Sequence, residues 1–222
     1  MPSISPISIV PDLTDQVYQR LLNAICEGQL APGARLTQED LAASLDVSRQ
    51  PVLQALRMLK KDGFVVDAGR RGLMVMPLGA DDIAHIYEVR STLDGLAARR
   101  AAQAKAKIDV AVIAEGRKAA RGARIGAMID ADVRFHGLIY AASGNPFIAE
   151  SAGHHWRHIR RAMGVVLQEA GVRDTVWDEH ESMLKAIARG DADRAERLAR
   201  RHGEEAGRHL TSQMDKHVRA AS

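Results

Sequence analysis

The stretch Leu41-Ala-Ala-Ser-Leu-Asp-Val-Ser-Arg-Gln-Pro-Val-Leu-Gln-Ala-Leu-Arg-Met-Leu59 decides the fold. Its first part carries Leu41, Ala42 and Leu45 on one helical face. Its second part repeats Val52, Ala55, Leu56 and Leu59 at i, i+3, i+4, i+7, so that face turns inward. Between them lies the short connection Asp46-Val47-Ser48. Ser48 stands at the N-cap of the second helix, and Pro51 falls in its first turn, where a missing N–H costs little. Two helices joined this tightly predict a helix-turn-helix. By subtraction, Arg49, Gln50, Leu53, Gln54 and Arg57 lie on or near the outer face of the second helix.

Working outward, a helix is expected from about Thr14. Val17, Leu21 and Ile25 keep i, i+4 spacing until Gly28, Pro32 and Gly33 turn the chain. Thr37 caps the following helix, with Asp40 at a capping-box position. Downstream, Phe64-Val65-Val66 and Leu73-Met74-Val75-Met76 flank Gly69-Arg70-Arg71-Gly72, the pattern of a β-hairpin. Helices plus hairpin predict a winged helix over residues 1–78, with Met1 to Pro11 as a loose arm. From 79 to 222 only helices are expected. They start near Asp81, Val110, Ala127, Phe147, Asp174 and Asp191, giving a mostly α chain whose second domain is a six-helix antiparallel bundle.

The 222-residue chain carries a formal charge of +3, unevenly placed. Acids dominate from Asp12 to Asp46. From Val47 to Leu78, Arg49, Arg57, Lys60, Lys61, Arg70 and Arg71 face only Asp62 and Asp67. That suits either one basic surface meeting a phosphate backbone or an ordinary mixed surface. No apolar run approaches the ~20 residues of a membrane span, and no signal peptide is recognisable. The single cysteine, Cys26, excludes an internal disulfide framework and fits a reducing cytoplasm.

The second half holds a constellation. Asp132 and His136 are spaced i, i+4 on the face that carries Ile129 and Ile139. His180 shares a stripe with Met183, Leu184 and Ile187, and His202 shares one with Leu198, Ala199 and Ala206. Three helices thus each turn a ligand-type group toward an apolar interior. Imidazoles and a carboxylate suit a first-row transition metal, and separately satisfied core residues are the alternative. Arg90 lies in an apolar stripe, where an anion would give its guanidinium a fork partner. An i, i+4 ion pair with Asp94 is the alternative. Arg160 falls between Trp156 and Met163 and is a second candidate for an anion, with Arg157 and Arg161 equally available.

Val17 to Pro77 resembles the N-terminal domain of GntR-family transcriptional regulators. The matching residues include Gly28, Leu30, Pro32-Gly33, Arg35-Leu36, Val47-Ser48-Arg49, Pro51-Val52, Ala55-Leu56-Arg57, Gly63 and Gly72. The block from Arg90 to His202 resembles the FCD ligand-binding domain of the FadR subfamily. It matches through Glu88-Val89-Arg90, Asp132, Phe135-His136, Ser143-Gly144-Asn145, His180, Gly190-Asp191 and His202. Six C-terminal helices resemble the VanR-type branch. The resemblance implies a cytoplasmic homodimer that binds operator DNA and acts as a repressor rather than an enzyme. It implies a divalent transition metal, zinc ahead of nickel or manganese, on Asp132, His136, His180 and His202. It also implies a small organic acid effector near Arg90 and Arg160. DNA contacts are expected from Arg35, Ser48, Arg49, Gln50, Leu53, Arg57, Arg70 and Arg71. A hydrolase-type metalloenzyme and a pure metal sensor are the competing readings. Relatives commonly carry arginine and glutamate where this chain has Leu53 and Gln54, which implies a different operator half-site.

Overall fold

A computed structural model describes residues 13–69, 72–122, 124–170 and 175–220, with backbone only for 168–170 and 217–220. The expected N-terminal arm and the wing residues Arg70 and Arg71 lie outside the described residues. The chain divides into two compact units, Met1–Pro77 and Leu78–Ser222.

The first unit contains α1 (Leu13–Cys26), β1 (Arg35–Leu36), α2 (Gln38–Leu45), α3 (Arg49–Lys61), β2 (Val65–Asp67) and β3 (Leu73–Val75). Val52, Ala55, Leu56 and Leu59 of α3 are fully buried against Val17, Leu21 and Ile25 of α1. Asp46 ends α2 in the left-handed region (φ 53°), which sets the tight turn. Thr37 caps α2 as expected, accepting from the Asp40 amide at 3.1 Å. Ser48 occupies the N-cap of α3 in extended backbone, yet its side chain makes no capping bond. Pro51 fills the third helical position and has no N–H, which removes one of the two amides such a cap can bond. One strand was not anticipated. Arg35–Leu36 pairs with β3 through Arg35↔Met74 and Leu36↔Leu73, giving a three-stranded sheet in the order β1-β3-β2. A two-residue strand has no periodicity to read.

The second unit contains α4 (Ala80–Gln103), α5 (Ala111–Ala120), α6 (Ile125–Ala142), α7 (Pro146–Ala170), α8 (Val176–Arg189) and α9 (Ala192–Ala220). Among the described residues it is all helix, with the six helices expected. Asp191 accepts from the Arg194 amide at 3.1 Å and so caps α9. Its core joins the alanine face of α4 (Ala97, Ala98, Ala101, Ala102) to Ala195 and Ala199 of α9. Small residues let these helices approach closely. A Cβ on Gly203 would stand 2.9 Å from the Ser91 side chain, and one on Gly207 would stand 2.7 Å from that of Tyr87. This approach brings Tyr87, Arg90 and Asp94 of α4 inward, opposite His202.

Candidate metal centre and DNA-reading helix

Three elements bring the histidines together. His136 projects from α6, His180 from α8 and His202 from α9, and all three are buried. One ligand atom from each lies within 4.8 Å of the others. His180 Nε2 and His202 Nε2 are 3.2 Å apart, and Asp132 Oδ1 stands 3.6 Å from His180 Nε2. Ligand atoms held at ~2.1 Å around one tetrahedral or octahedral ion are themselves ~3.0–3.4 Å apart. The His180–His202 pair is spaced as such an ion needs, with His136 within 4.8 Å and Asp132 slightly beyond the range.

The imidazoles are also oriented. His202 Nδ1 lies 2.7 Å from Glu179 Oε2, and Thr175 Oγ1 donates to Glu179 Oε1 at 2.9 Å. With Nδ1 donating to the carboxylate, His202 Nε2 turns its lone pair inward, the arrangement that commonly fixes a metal-binding tautomer. His180 is stacked on Phe135, with ring centroids 3.8 Å apart, and packed edge-on to Trp177 at 4.7 Å. Gly116 makes room for that indole, since a Cβ there would overlap it at 1.9 Å. His136 Nε2 is buried and has no hydrogen-bond partner among the described residues. Burial, reinforced by Arg90 and the two other histidines, holds His136 well below the usual imidazole pKa. It is therefore neutral at pH 7, the form a metal requires. Stability follows the same sign. The unfolded imidazole takes a proton near pH 6.5 while the folded one does not. The metal-free protein is expected to keep this stability above about pH 6.5 and to lose it progressively below. A series of thermal melts from pH 7.5 to pH 5 checks this.

Arg90 sits at the centre of the second unit and is 1% exposed. Its Nε lies 3.2 Å from Asp94 Oδ2 in an ion pair, but off the line of a hydrogen bond. Its guanidinium carbon is 4.0 Å from the Trp156 ring centroid and 5.1 Å from that of Tyr87. Nη2 has no hydrogen-bond partner among the described residues. Burial is the largest influence and opposes the charge, but Asp94, Tyr87, Tyr140 and Asp132 together outweigh it and keep the guanidinium charged. Burial pushes the Tyr87 hydroxyl up to about 12. Asp94 is a junction that the sequence did not reveal. It takes a hydrogen bond from Tyr140 at 2.5 Å, pairs with Arg90 and stands 3.6 Å from His136 Nδ1. Arg90, Asp132 and His202 border one cavity of about 60 Å³.

Arg160 sits apart from the cavity residues. It is partly exposed and pairs with Asp130 at 2.7 Å, and it does not line the cavity. The buried arginine of that helix is Arg161, 3% exposed. The inward face of α7 runs through Ala152, Trp156 and Ile159, and the ~100° step per residue takes Arg160 off it.

On the first unit, Arg35, Ser48, Arg49, Gln50 and Arg57 are exposed, and Leu53 is half-buried. Arg57 thus lies on the outer face, as its spacing predicts. Arg49 pairs with exposed Glu39 at 2.9 Å, a contact of little strength that an incoming phosphate or base can replace.

Residues 85–205 match the FCD domain family, and residues 13–75 match the bacterial regulatory proteins of the gntR family. The chain is 39% identical over 82 residues to the uncharacterized HTH-type transcriptional regulator YdhC of Bacillus subtilis, spanning 37% of each chain. It is 33% identical over 134 residues to an Agrobacterium vitis regulator from the TAR-I ttuE-ttuC' intergenic region. That match covers 57% of this chain and 78% of the relative. A solved GntR transcriptional regulator from Rhodococcus sp. RHA1 superposes with a TM-score of 0.73 at 26% identity. That superposition covers 90% of this chain and 97% of the other. These relatives are transcriptional regulators and not enzymes, which sets aside the hydrolase reading. Among the described residues no helix is long and apolar enough to cross a membrane. With a helix-turn-helix unit, a histidine-lined helical unit and both family matches in sequence order, the chain belongs to the FCD-containing GntR family of DNA-binding transcriptional regulators.

Proposed function

We propose that this protein is a cytoplasmic, homodimeric repressor whose operator affinity is set by a divalent metal and a small carboxylate held in its C-terminal unit. The observation that carries the reading is a pair of unsatisfied buried groups at one site. His136 Nε2 and Arg90 Nη2 both lack hydrogen-bond partners among the described residues, and a buried polar group without a partner costs ~1–3 kcal/mol. A metal on His136, His180, His202 and Asp132 satisfies the first. A carboxylate reaching the metal and Arg90 satisfies the second. Zinc suits three imidazoles and one carboxylate, as do nickel and manganese. When bound, the metal supplies a fixed positive charge, and this chain's residues orient the acid and keep water out.

In the first unit, α3 enters the major groove. Arg49 would read a guanine edge, Arg35 and Arg57 would meet phosphates, and Arg70 and Arg71 take the same phosphate role on the sequence reading alone. The Ser48 hydroxyl, which makes no capping bond, is available to a phosphate, and Gln50 stands beside it. A dimer reads a pseudo-palindrome through two such helices. Effector binding shifts operator affinity only to the extent that it favours one state over the other. A gel-shift titration with metal-loaded protein tests this. Release of operator DNA on adding an acid supports the reading. Release on chelation alone, with no response to any acid, replaces it with the pure metal sensor.

Leu53 sets a separate expectation. It lies one turn beyond Arg49, and an apolar side chain there reads a thymine methyl. Leu53→Arg is expected to change the preferred base at one half-site position, by about 1–3 kcal/mol of discrimination. Binding-site selection on both proteins checks it, and an unchanged preference rules it out.

A further inference from the structure

We infer that the arginine stripe Arg194, Arg197 and Arg201 on α9 is a second DNA contact, which grips the phosphate backbone through the C-terminal unit and adds to the contacts of α3. This is independent of the metal and effector readings. Spacing of i, i+3 and i+7 puts the three side chains on successive turns of one face, over ~10 Å of helix. All three are exposed, and with Leu198 they line a surface hollow of about 600 Å³. The acids of the same stretch are engaged elsewhere. Asp191 accepts from the Arg194 backbone amide at 3.1 Å. Asp193 and Glu196 hold Arg99 of α4 at 2.7 and 2.9 Å, and Glu196 also faces Arg200 at 3.6 Å. Among the described residues, the Arg194 and Arg197 side chains have no ion-pair partner, and Arg201 has only Glu205, at 3.8 Å.

Such a stripe is unfavourable without an anion. Like charges at i, i+3 and i+4 repel, and Arg194 stands in the first turn of α9, where the helix end is already positive. A small anion engages one guanidinium, whereas a polyanion engages all three. Duplex DNA, the ligand of this family, presents one phosphate per ~3.4 Å along each strand. Two or three of them therefore lie within the length of the stripe. The arginine fork matches a phosphate with two bonds, and no lysine interrupts the run from Ala192 to Glu205. Leu198 is the single apolar side chain of the hollow and is half-buried, so this face lacks the apolar breadth of a helix that lies on a membrane.

Salt dependence reads this contact directly. The full chain is titrated by fluorescence anisotropy, over a series of KCl concentrations, against a labelled duplex that carries the selected operator with its flanks. Each phosphate contact adds ~0.9 to the slope of log K against log salt. Arg194→Gln/Arg197→Gln/Arg201→Gln is expected to reduce that slope by about 2–3 and the affinity by at least about 10-fold. The ratio of operator to scrambled-duplex affinity is expected to stay within about twofold, because backbone contacts carry no sequence information. Arg194→Lys/Arg197→Lys/Arg201→Lys keeps the charge and is expected to retain most of the slope. Should the triple glutamine variant lose its helical circular dichroism, Arg194→Gln/Arg197→Gln replaces it, with an expected drop of about 2. An unchanged slope overturns the assignment, and sedimentation of the same variants then shows whether the stripe serves a second copy of this chain. A collapsed operator preference places the loss in α3 and overturns it as well.

Discussion

Asp94→Ala is expected to destabilise the C-terminal unit by about 3–5 kcal/mol, the cost of stripping a buried charge of its partner. Asp94 is 3% exposed and its neighbours are equally enclosed. Its loss leaves the Arg90 guanidinium, itself 1% exposed, without its ion-pair partner, compensated by the Trp156 and Tyr87 rings and the more distant Asp132. It also removes the acceptor of the Tyr140 hydroxyl, which in turn accepts from Trp156 Nε1 at 3.1 Å. For a unit of this size the change lowers Tm by roughly 10 °C. The measurement is a thermal or urea melt of each variant. A second variant separates charge from packing. Arg90→Met combined with Asp94→Leu removes both charges, and such replacements of buried pairs are often neutral or stabilising. The double variant is therefore expected to recover most of the lost stability while losing the acid response. A single variant as stable as the wild type would show that Arg90 is held by something other than Asp94.

That prediction depends on a junction invisible in the sequence, and the reason is general. Local spacing was readable. Val52, Ala55, Leu56 and Leu59 announced the inward face of α3, and the apolar neighbours of His136, His180 and His202 announced theirs. The i, i+4 pair Arg90–Asp94 was readable as one of two alternatives, and the structure holds it together with an unsatisfied Nη2. What joins residues across helices was not readable. Tyr140 meets Asp94 from α6, and Glu179 meets His202 from α8, the partners standing 46 and 23 positions apart. Glu179 precedes His180 directly, and neighbours on a helix point ~100° apart. The two act on the cluster through different rings, His180 through its own and Glu179 through that of His202. One residue of helical rotation likewise separates the partly exposed Arg160 from the buried Arg161, a difference that spacing alone did not resolve. Ser48 was placed correctly as a cap, but its hydroxyl makes no capping bond, and Pro51 removes one of the two amides it could have bonded.

Glu179 also gives the metal reading its sharpest test. His180→Ala removes a first ligand from the centre of the cluster, where its Nε2 lies 3.2 Å from His202 Nε2 and 3.6 Å from Asp132 Oδ1. Zn²⁺ affinity is expected to fall by more than about 100-fold, beyond the ~10–100-fold range typical of outer-shell partners. Glu179→Gln keeps every ligand and alters only the group that fixes the His202 tautomer, so its loss is expected within that ~10–100-fold range. The graded pair matters because the two causes of lost binding differ. A collapsed site would abolish binding in both variants and would be seen in circular dichroism. A correctly folded site with one misoriented imidazole binds more weakly and releases its metal faster. His155, half-buried on α7 with an unsatisfied Nδ1, is the matched control. It lies outside the cluster, and His155→Ala is expected to leave affinity unchanged. Competition against a chromophoric chelator measures all three. Equal affinity in wild type and His180→Ala would mean that the three imidazoles pack as core residues and hold no ion. The unsatisfied His136 Nε2 would then be a cost of folding rather than a vacancy for a metal.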